Sequence, residues 1–207
     1  MKLYLSSYRL GDKPEQLVGL LGGNKRVAVI SNALDFSTDQ ERLAKGRQRE
    51  FDELSAIGLS AEEVDLRTYF GKREALEAKL KEYGLIWVRG GNSFILRRAM
   101  RQSGLDEILR KFALGDDIVY AGYSAGVSVV GPTLKGVEIV DDPTIVPEGY
   151  EAEVIWDGVG LIDFSFAPHY QSNHPESEAI EKVVGFYKKN DMLFRGLKDG
   201  EVIIQTI

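Results

Sequence analysis

The sequence predicts an α/β protein built on a mainly parallel sheet, and three observations favour this class. Short apolar runs alternate with amphipathic segments of helical length, joined by short loops. The central runs, such as Arg26–Ile30 and Leu85–Val88, are apolar almost throughout, as in strands that helices cover on both faces. Glycine-rich turns follow two of the strands directly. Such βαβ units place their ligand sites beyond the carboxyl ends of the strands.

The predicted strands and helices alternate along the first part of the chain. Apolar runs predict strands in the first part of the chain at residues 2–6, 26–30, 63–66, 85–88 and 118–121. Helical spacing predicts helices at residues 15–21, 39–57, 72–83, 93–103 and 105–114. Beyond residue 128 prolines and glycines become frequent, which indicates loops and short edge strands. The later elements are strands at 154–156, 161–166 and 201–206 and a helix from Pro175 to about Lys189.

Composition narrows the class of protein. A chain of 207 residues, 43% hydrophobic and without repeats or linkers, is expected to form one domain over residues 1–207. The net charge of −6 disfavours a nucleic-acid partner. No apolar run reaches the ~18 residues that span a bilayer, and no leader pattern opens the chain, so a cytoplasmic protein is expected. The basic pairs Arg97–Arg98 and Lys188–Lys189 are interpreted as solvated helix faces.

One stretch carries most of the chemical information. The apolar run Ile118–Ala121 leads into Gly122-Tyr-Ser-Ala-Gly126, a Gly-x-Ser-x-Gly pattern that places a serine on a tight strand-to-helix turn. Glycines on both sides provide room for the strained backbone. An ordinary turn can have the same pattern, but the preceding buried strand favours a nucleophile elbow with Ser124 as the nucleophile.

A serine nucleophile needs a base and an orienting acid. The sequence has two histidines, and His169 is the better candidate because it directly follows an apolar strand, where it is expected at the same sheet edge as Ser124. His174 lies in a polar loop at a helix start and is interpreted as a surface or capping residue. Asp199 stands in an Asp-Gly turn before the last strand. The acid is left open among Asp199 and the alternatives Asp141, Asp142 and Asp163.

The oxyanion formed during acyl transfer needs two backbone N–H donors. Ala125, which follows the serine, supplies one, and Gly91 is the natural second because a glycine permits close approach of the substrate. The Gly90–Gly91 turn lacks the full phosphate-loop pattern, so nucleotide binding is disfavoured. The chain contains no cysteine and no cluster with metal-ligand spacing, so neither a cofactor nor a metal is expected.

With these residues assembled, the chain resembles the serine peptidases of the peptidase E family, family S51, which includes aspartyl dipeptidases and cyanophycinases. The resemblance covers nearly the whole chain and depends on four motifs in the family's order: Gly90–Phe94, Gly122–Gly126, Pro168–Tyr170 and Gly196–Gly200. It implies a three-layer, flavodoxin-like sandwich of the class I glutamine amidotransferase type. It also implies Ser124 as nucleophile, His169 as base and Asp199 at the position of the acid.

The resemblance extends to the substrate site. It implies that Gly91 and Ala125 form the oxyanion hole and that Asn92 lines the substrate site, while Asp142 lies near another acid proposed in such enzymes. Family members specific for N-terminal aspartate carry an arginine after the histidine segment, but Ser172–Glu178 contains no arginine or lysine. The preferred N-terminal residue therefore stays open.

Two functions from different classes follow. The first is a serine exopeptidase that hydrolyses dipeptides or short peptides and has no cofactor, with a homodimer as one expected assembly. The second is a non-catalytic ligand-binding or regulatory protein on the same scaffold, since fold does not imply function. A glutamine amidotransferase is disfavoured because that chemistry uses a cysteine, and the order Ser124, His169, Asp199 disfavours an ordinary α/β-hydrolase.

Overall fold

The computed structural model describes residues 1–115 and 117–207. The strands of its six-stranded main sheet are β1 Lys2–Ser6, β2 Arg26–Ile30, β3 Ser60–Glu63, β4 Leu85–Val88, β5 Val119–Tyr123 and β8 Val202–Thr206. They lie side by side in the order β3-β2-β4-β5-β1-β8. All neighbouring strands are parallel except β8, which runs antiparallel to β1. This arrangement confirms the predicted α/β class.

Helices cover both faces of the sheet, so the central strands are buried on both sides. Alternate residues of each strand belong to two different apolar clusters; in β4, Ile86 and Val88 face one cluster and Leu85 and Trp87 the other. On the first face pack α3 Arg73–Leu80, α4 Ser93–Ser103 and α5 Leu105–Ala113. On the second pack α1 Pro14–Leu20 and α2 Gln40–Ala56. The result is the predicted three-layer sandwich.

The region after β5 departs most from the sequence predictions. A short helix, α6 Ala125–Ser128, follows the elbow, and residues 154–156 form no strand. Of the strand predicted at 161–166, only β6 Ser165–Ala167 forms, and it pairs in parallel with β7 Phe194–Gly196 in a separate two-stranded sheet. A helix, α7 Ser177–Lys189, packs on this small sheet through a third apolar cluster. His169 therefore follows a strand of the small sheet, and the expectation that it shares the edge of the main sheet with Ser124 is wrong.

Two other predictions are corrected. The third strand is Ser60–Glu63 and not 63–66, because pairing with β2 fixes its position, whereas the buried Val64 and Leu66 lie beyond it. Arg97 and Arg98 are not a solvated face: they are 4% and 1% exposed. Apolar stems and internal partners make their burial favourable.

The partners of the buried arginines explain how the loop before β6 is held. Arg97 forms an ion pair with Asp106 at 2.9 Å. The Arg98 guanidinium donates to four backbone carbonyl oxygens in the segment 143–153, those of Pro143, Ile145, Ala152 and Glu153. The exposed pair Lys188–Lys189 does match the predicted solvated face. Among the described residues, no helix is both long enough and apolar enough to cross a membrane.

Candidate active site

The elbow places Ser124 in a strained backbone at the carboxyl end of β5. Ser124 has φ +50° and ψ −116°, a conformation that costs a non-glycine residue about 1–3 kcal/mol. The flanking glycines permit it by close packing: a Cβ atom on Gly122 or Gly126 would lie 2.7 or 2.4 Å from the carbonyl oxygen of Val88. The sequence pattern thus has the structural basis that was predicted for it.

A second strained residue, His169, lies opposite. Its φ is +58°, its side chain is 2% exposed, and its backbone N–H donates to Ser7 Oγ at 2.8 Å. Its Nδ1 lies 2.6 Å from Asp199 Oδ1. Ser7 also donates to the same Asp199 oxygen, at 3.1 Å, and the Asp199 N–H donates to Ser172 Oγ. These contacts fix the carboxylate against one nitrogen of the imidazole and leave Nε2 toward the cleft.

Ser124 and His169 line one cleft. Its walls also include Tyr8, Gly91 and Glu176. No hydrogen bond joins Ser124 Oγ to the imidazole anywhere in residues 1–115 and 117–207, and the nearest acidic atom to Nε2 is Glu176 Oε2 at 3.9 Å. Catalytic hydrogen bonds are often long in free enzymes and shorten in the substrate complex.

Two aromatic rings cover the imidazole of His169. The His174 ring stacks on it at 3.6 Å between centroids and 7° between planes. Tyr8 contacts both rings edge-on. His174 does cap its turn as predicted, since its Nδ1 accepts from Glu176 N–H at 3.2 Å, but it also forms part of the cleft wall.

Burial sets the protonation of the imidazole. Desolvation lowers the pKa of His169 below its ordinary value of 6.5, against the opposing effect of the Asp199 hydrogen bond, and the His174 ring lowers the pKa further. At neutral pH the imidazole is therefore mainly uncharged and able to accept a proton.

The predicted oxyanion donors are both free in the structure. Gly91 has φ +146°, and a Cβ atom there would lie 2.5 Å from the Ala33 carbonyl oxygen, so only glycine fits. Neither its amide nor that of Ala125 donates a hydrogen bond within the described chain. Ala125 lies in the first turn of α6, where amide groups have no partner inside the helix.

Asn92 has a structural task that the sequence did not reveal. Its Oδ1 accepts from the backbone N–H groups of Phe94 and Ile95 and so caps α4, while its Nδ2 donates to the Asp142 carbonyl oxygen at 3.0 Å. The residue still lines the cleft, but these bonds occupy its polar atoms.

Within the described residues, none of the alternative acids forms a hydrogen bond with His169. The exposed carboxylate of Asp142 accepts from Thr144, and Asp163 is exposed. Asp141 lines the cleft, and its Oδ2 accepts from the Ser93 N–H at 2.8 Å. Desolvation raises the pKa of Asp141 to about 6. Of the four aspartates considered, Asp199 is the one hydrogen-bonded to the imidazole.

Among the side chains that the structure describes, one group has donor atoms close enough for a metal ion. The donors of His169, His174 and Glu176 lie within 4.8 Å of one another, although their spacing in the sequence gave no sign of it. Stacked parallel imidazoles direct their in-plane lone pairs along separate lines, so this ring arrangement does not converge on one tetrahedral position.

Sequence reasoning missed several residues of the site. Ser7 and Tyr8 directly follow β1, so the rule that sites lie beyond the carboxyl ends of parallel strands could have found them. The sequence indicates Asp141 only as a candidate partner of the histidine. Glu176 had no signal, because its place in the cleft depends on how α7 packs on the small sheet.

Comparison with known proteins extends these observations. The model of peptidase family S51 matches residues 6–206. The uncharacterised peptidase Lmo0363 of Listeria monocytogenes is 30% identical over 142 residues, which are 68% of this chain and 65% of that protein. Peptidase E of Streptomyces coelicolor is 34% identical over 128 residues, 59% of this chain and 49% of that one. The chain thus spans about half to two thirds of the length of these relatives.

A solved structure shares the fold over its full length. The crystal structure of a candidate peptidase E protein from Listeria monocytogenes EGD-e has a TM-score of 0.74 and 25% identity, and the match covers 100% of this chain and 98% of that one. The fold and site define a three-layer α/β protein with a serine elbow at the carboxyl edge of its sheet. Within that class, the chain belongs to peptidase family S51.

Proposed function

We propose that the protein is a serine-type exopeptidase that hydrolyses short peptides through Ser124, His169 and Asp199. The single observation that carries the proposal is the joint geometry of these residues. Ser124 and His169 line one cleft, and His169 Nδ1 lies 2.6 Å from Asp199. The names of the S51 relatives support a peptidase.

The chemistry begins at the scissile carbonyl carbon. Ser124 Oγ attacks this carbon while His169 Nε2 takes the hydroxyl proton. Asp199 accepts a hydrogen bond from Nδ1–H and so holds the imidazole in the tautomer whose Nε2 is free. The amides of Gly91 and Ala125 donate to the oxyanion, and His169 returns the proton to the leaving amine.

Deacylation repeats the sequence with water. His169 removes a proton from a water molecule, which attacks the acyl-serine ester, and the proton then returns to Ser124. The net reaction consumes one water for each peptide bond. The depressed pKa of His169 supports this role, because a neutral base is present at pH 7.

The Ser124→Ala variant tests the proposal. Removal of the nucleophile should lower amino-acid release from a dipeptide panel by at least about 10³-fold, while circular dichroism and the thermal midpoint stay close to those of the wild type. Equal release by both proteins would contradict the assignment of Ser124. Release by neither, from folded protein, would favour the non-catalytic alternative.

A further inference from the structure

The part of the cleft beside Ser124 has an unusual charge. A pocket extends from Ser124 between α6 and α7, and its titratable lining residues are Asp141 and Glu176. Arginine and lysine are absent from its described lining and from that of the adjoining cleft. A substrate carboxylate placed here would meet like charge and no bidentate partner, which disfavours an aspartyl side chain.

Among the described residues, the half-buried Asp141 carboxylate bonds Ser93 and no cation. One of its oxygens accepts the Ser93 N–H, and no cationic side chain that the structure describes pairs with it. Burial without such a partner makes its ionised form costly and raises its pKa. A cation bound beside Asp141 would stabilise that ionised form, so this point of the pocket is electrostatically complementary to a positively charged group.

Most of the remaining pocket lining is apolar, apart from Ser93, Ser124 and Ser128. The larger hydrophobic side chains in it are Val137, Val140, Phe166, Ile180 and Val183. The pocket has a volume of only about 20 Å³, so its walls favour a small uncharged side chain by the ordinary hydrophobic effect. Apolar walls beside two carboxylates are complementary to an apolar residue that carries an ammonium group.

Covalent geometry connects this charge to the proposed reaction. In an N-terminal residue the α-amino nitrogen is separated from the carbonyl carbon by two bonds, of about 1.46 and 1.52 Å. If Ser124 attacks that carbon, the ammonium group lies close to Ser124, which lines both the pocket and the adjoining cleft. Asp141 and Glu176 both line this pocket, whereas a group several residues along the peptide would lie outside it.

A neighbouring groove has more positive than negative charge. It shares Tyr8, Gly90 and Tyr123 with the cleft. Its charged lining residues are four cations and two carboxylates: Arg42, Lys45, Arg49, Arg89, Asp39 and Glu41. The two regions therefore have opposite net charge. This polarity matches a short peptide whose amino end lies toward Asp141 and whose carboxylate end lies toward the groove.

We infer that the pocket of Asp141 and Glu176 binds the free α-ammonium group of the substrate together with an uncharged apolar first side chain. Recognition of this end directs Ser124 to the first peptide bond. The substrate class is thus short peptides with an unblocked, non-acidic N-terminal residue. The inference rests on the proposed function and specifies which end of the substrate the pocket of Asp141 and Glu176 selects.

The test uses leucine release from three dipeptides: alanyl-leucine, N-acetyl-alanyl-leucine and aspartyl-leucine. Asp141→Asn is the informative variant, because a carboxamide oxygen can still accept the Ser93 N–H while the negative charge is removed. Asp163→Asn is the matched control, since it removes the same charge from an exposed position away from the cleft. Ser124→Ala reports whether release depends on the proposed nucleophile.

The wild type should cleave alanyl-leucine with a kcat/KM about 10- to 100-fold above that for the acetylated and aspartyl dipeptides. Asp141→Asn should lower kcat/KM for alanyl-leucine by about the same factor, mainly by raising KM, and should leave kcat/KM for the acetylated dipeptide unchanged. Asp163→Asn should match the wild type on all three. A merely structural role of Asp141 would instead lower all rates together.

The outcomes separate the two proposals. In one outcome, leucine release depends on Ser124 and yet is equal for free and acetylated dipeptides, or is highest for aspartyl-leucine. Either result would overturn the binding of the α-ammonium group by Asp141 and Glu176 and would leave the proposed peptidase activity intact. An equal loss on every substrate in Asp141→Asn would also overturn it. If none of the three dipeptides shows leucine release that depends on Ser124, the proposed function is contradicted. The proposed binding of the α-ammonium group is then rejected with it.

Discussion

Ser124 and His169 both have a positive φ angle, a conformation that three other described residues with side chains share: Arg9, Gln171 and Asp191. Each such conformation costs about 1–3 kcal/mol and persists only when its surroundings fix it. Around Ser124 the packing of Gly126 against Val88 does so. Around His169 the bonds from its own N–H to Ser7 and from Tyr170 N–H to Leu197 do so. Two of the five described positions with this strain are thus the residues with the proposed chemistry.

The identity of the acid gives the first prediction at this scale. Asp199→Asn should lower kcat/KM by about 10³- to 10⁴-fold, because an amide that donates to Nδ1 would stabilise the wrong tautomer of His169. Asp142→Asn should have less than a tenfold effect, since its side chain bonds Thr144 and not the imidazole. Steady-state kinetics on both variants would distinguish them, and a larger loss in Asp142→Asn would reverse the assignment.

The stacked His174 ring gives a prediction about pH. The base must be neutral, so kcat/KM should fall as pH decreases through the pKa of His169, which lies below 6.5. His174→Asn exposes one face of the imidazole and removes the repulsive charge, so that pKa should rise. Asp199 and Glu176 remain in place and continue to favour the imidazolium.

The measurement is the pH dependence of kcat/KM for wild type and His174→Asn. The acid limb of the variant should lie at higher pH. Asp141 also titrates near pH 6, but in both proteins, so the displacement between the two curves reports His169. A displacement toward lower pH would show that the ring does not depress the pKa of the base.

At the scale of the elements, α2 is tied to the elbow by one buried carboxylate. Glu50, on α2, is 2% exposed and accepts from Trp87 Nε1 at 2.6 Å, from Arg89 Nε at 3.1 Å and from Tyr123 OH at 3.1 Å. Arg89 is 4% exposed and also donates to Ser31 Oγ. This network joins a helix to β4 and β5 just before the two turns of the site.

Glu50→Ala should lower the free energy of unfolding by about 3–5 kcal/mol, because it leaves the Arg89 guanidinium buried without its counter-ion. Urea unfolding measures the change. Gln48→Ala, on the exposed side of the same helix, is the control and should cost less than about 1 kcal/mol. A cost of under 1 kcal/mol for Glu50→Ala as well would show that the network contributes little.

For the whole molecule, the site joins distant parts of the chain. Ser7 follows β1, Ser124 follows β5, His169 follows β6, and Asp199 precedes β8. β1 lies between β5 and β8 in the sheet, and its carboxyl end pairs Ser6 with Val202, so Ser7 and the Asp199 turn lie together beside the site. β8 forms an edge of the sheet, and a homodimer stays a prediction from the sequence.

A single domain over residues 1–207 is also a prediction, and calorimetry tests it. The pairing of β1 with both β5 and β8 leaves few ways to unfold one part of the sheet alone. We expect one transition, with equal calorimetric and van't Hoff enthalpies. Two resolved transitions would indicate that the β6–β7 sheet and α7 unfold separately from the six-stranded sheet.

Sequence reasoning succeeded where local physics determines the structure. The strands 2–6, 26–30 and 85–88 match because buried parallel strands must be apolar. It failed at 63–66 and 154–156, where apolar residues pack without forming a ladder. The true third strand, Ser60–Glu63, is a polar edge whose position depends on pairing with β2.

The sequence by itself determined the α/β class, the elbow of Ser124 and the choice of His169 as the candidate base. These follow from glycine spacing, apolar runs and the scarcity of histidine, all of which are local or compositional properties. Only the tertiary structure placed Asp199 against His169 and brought Ser7, Asp141, His174 and Glu176 to the cleft. Contacts between residues far apart in the chain depend on how β6, β7 and α7 pack, and no local pattern encodes that packing.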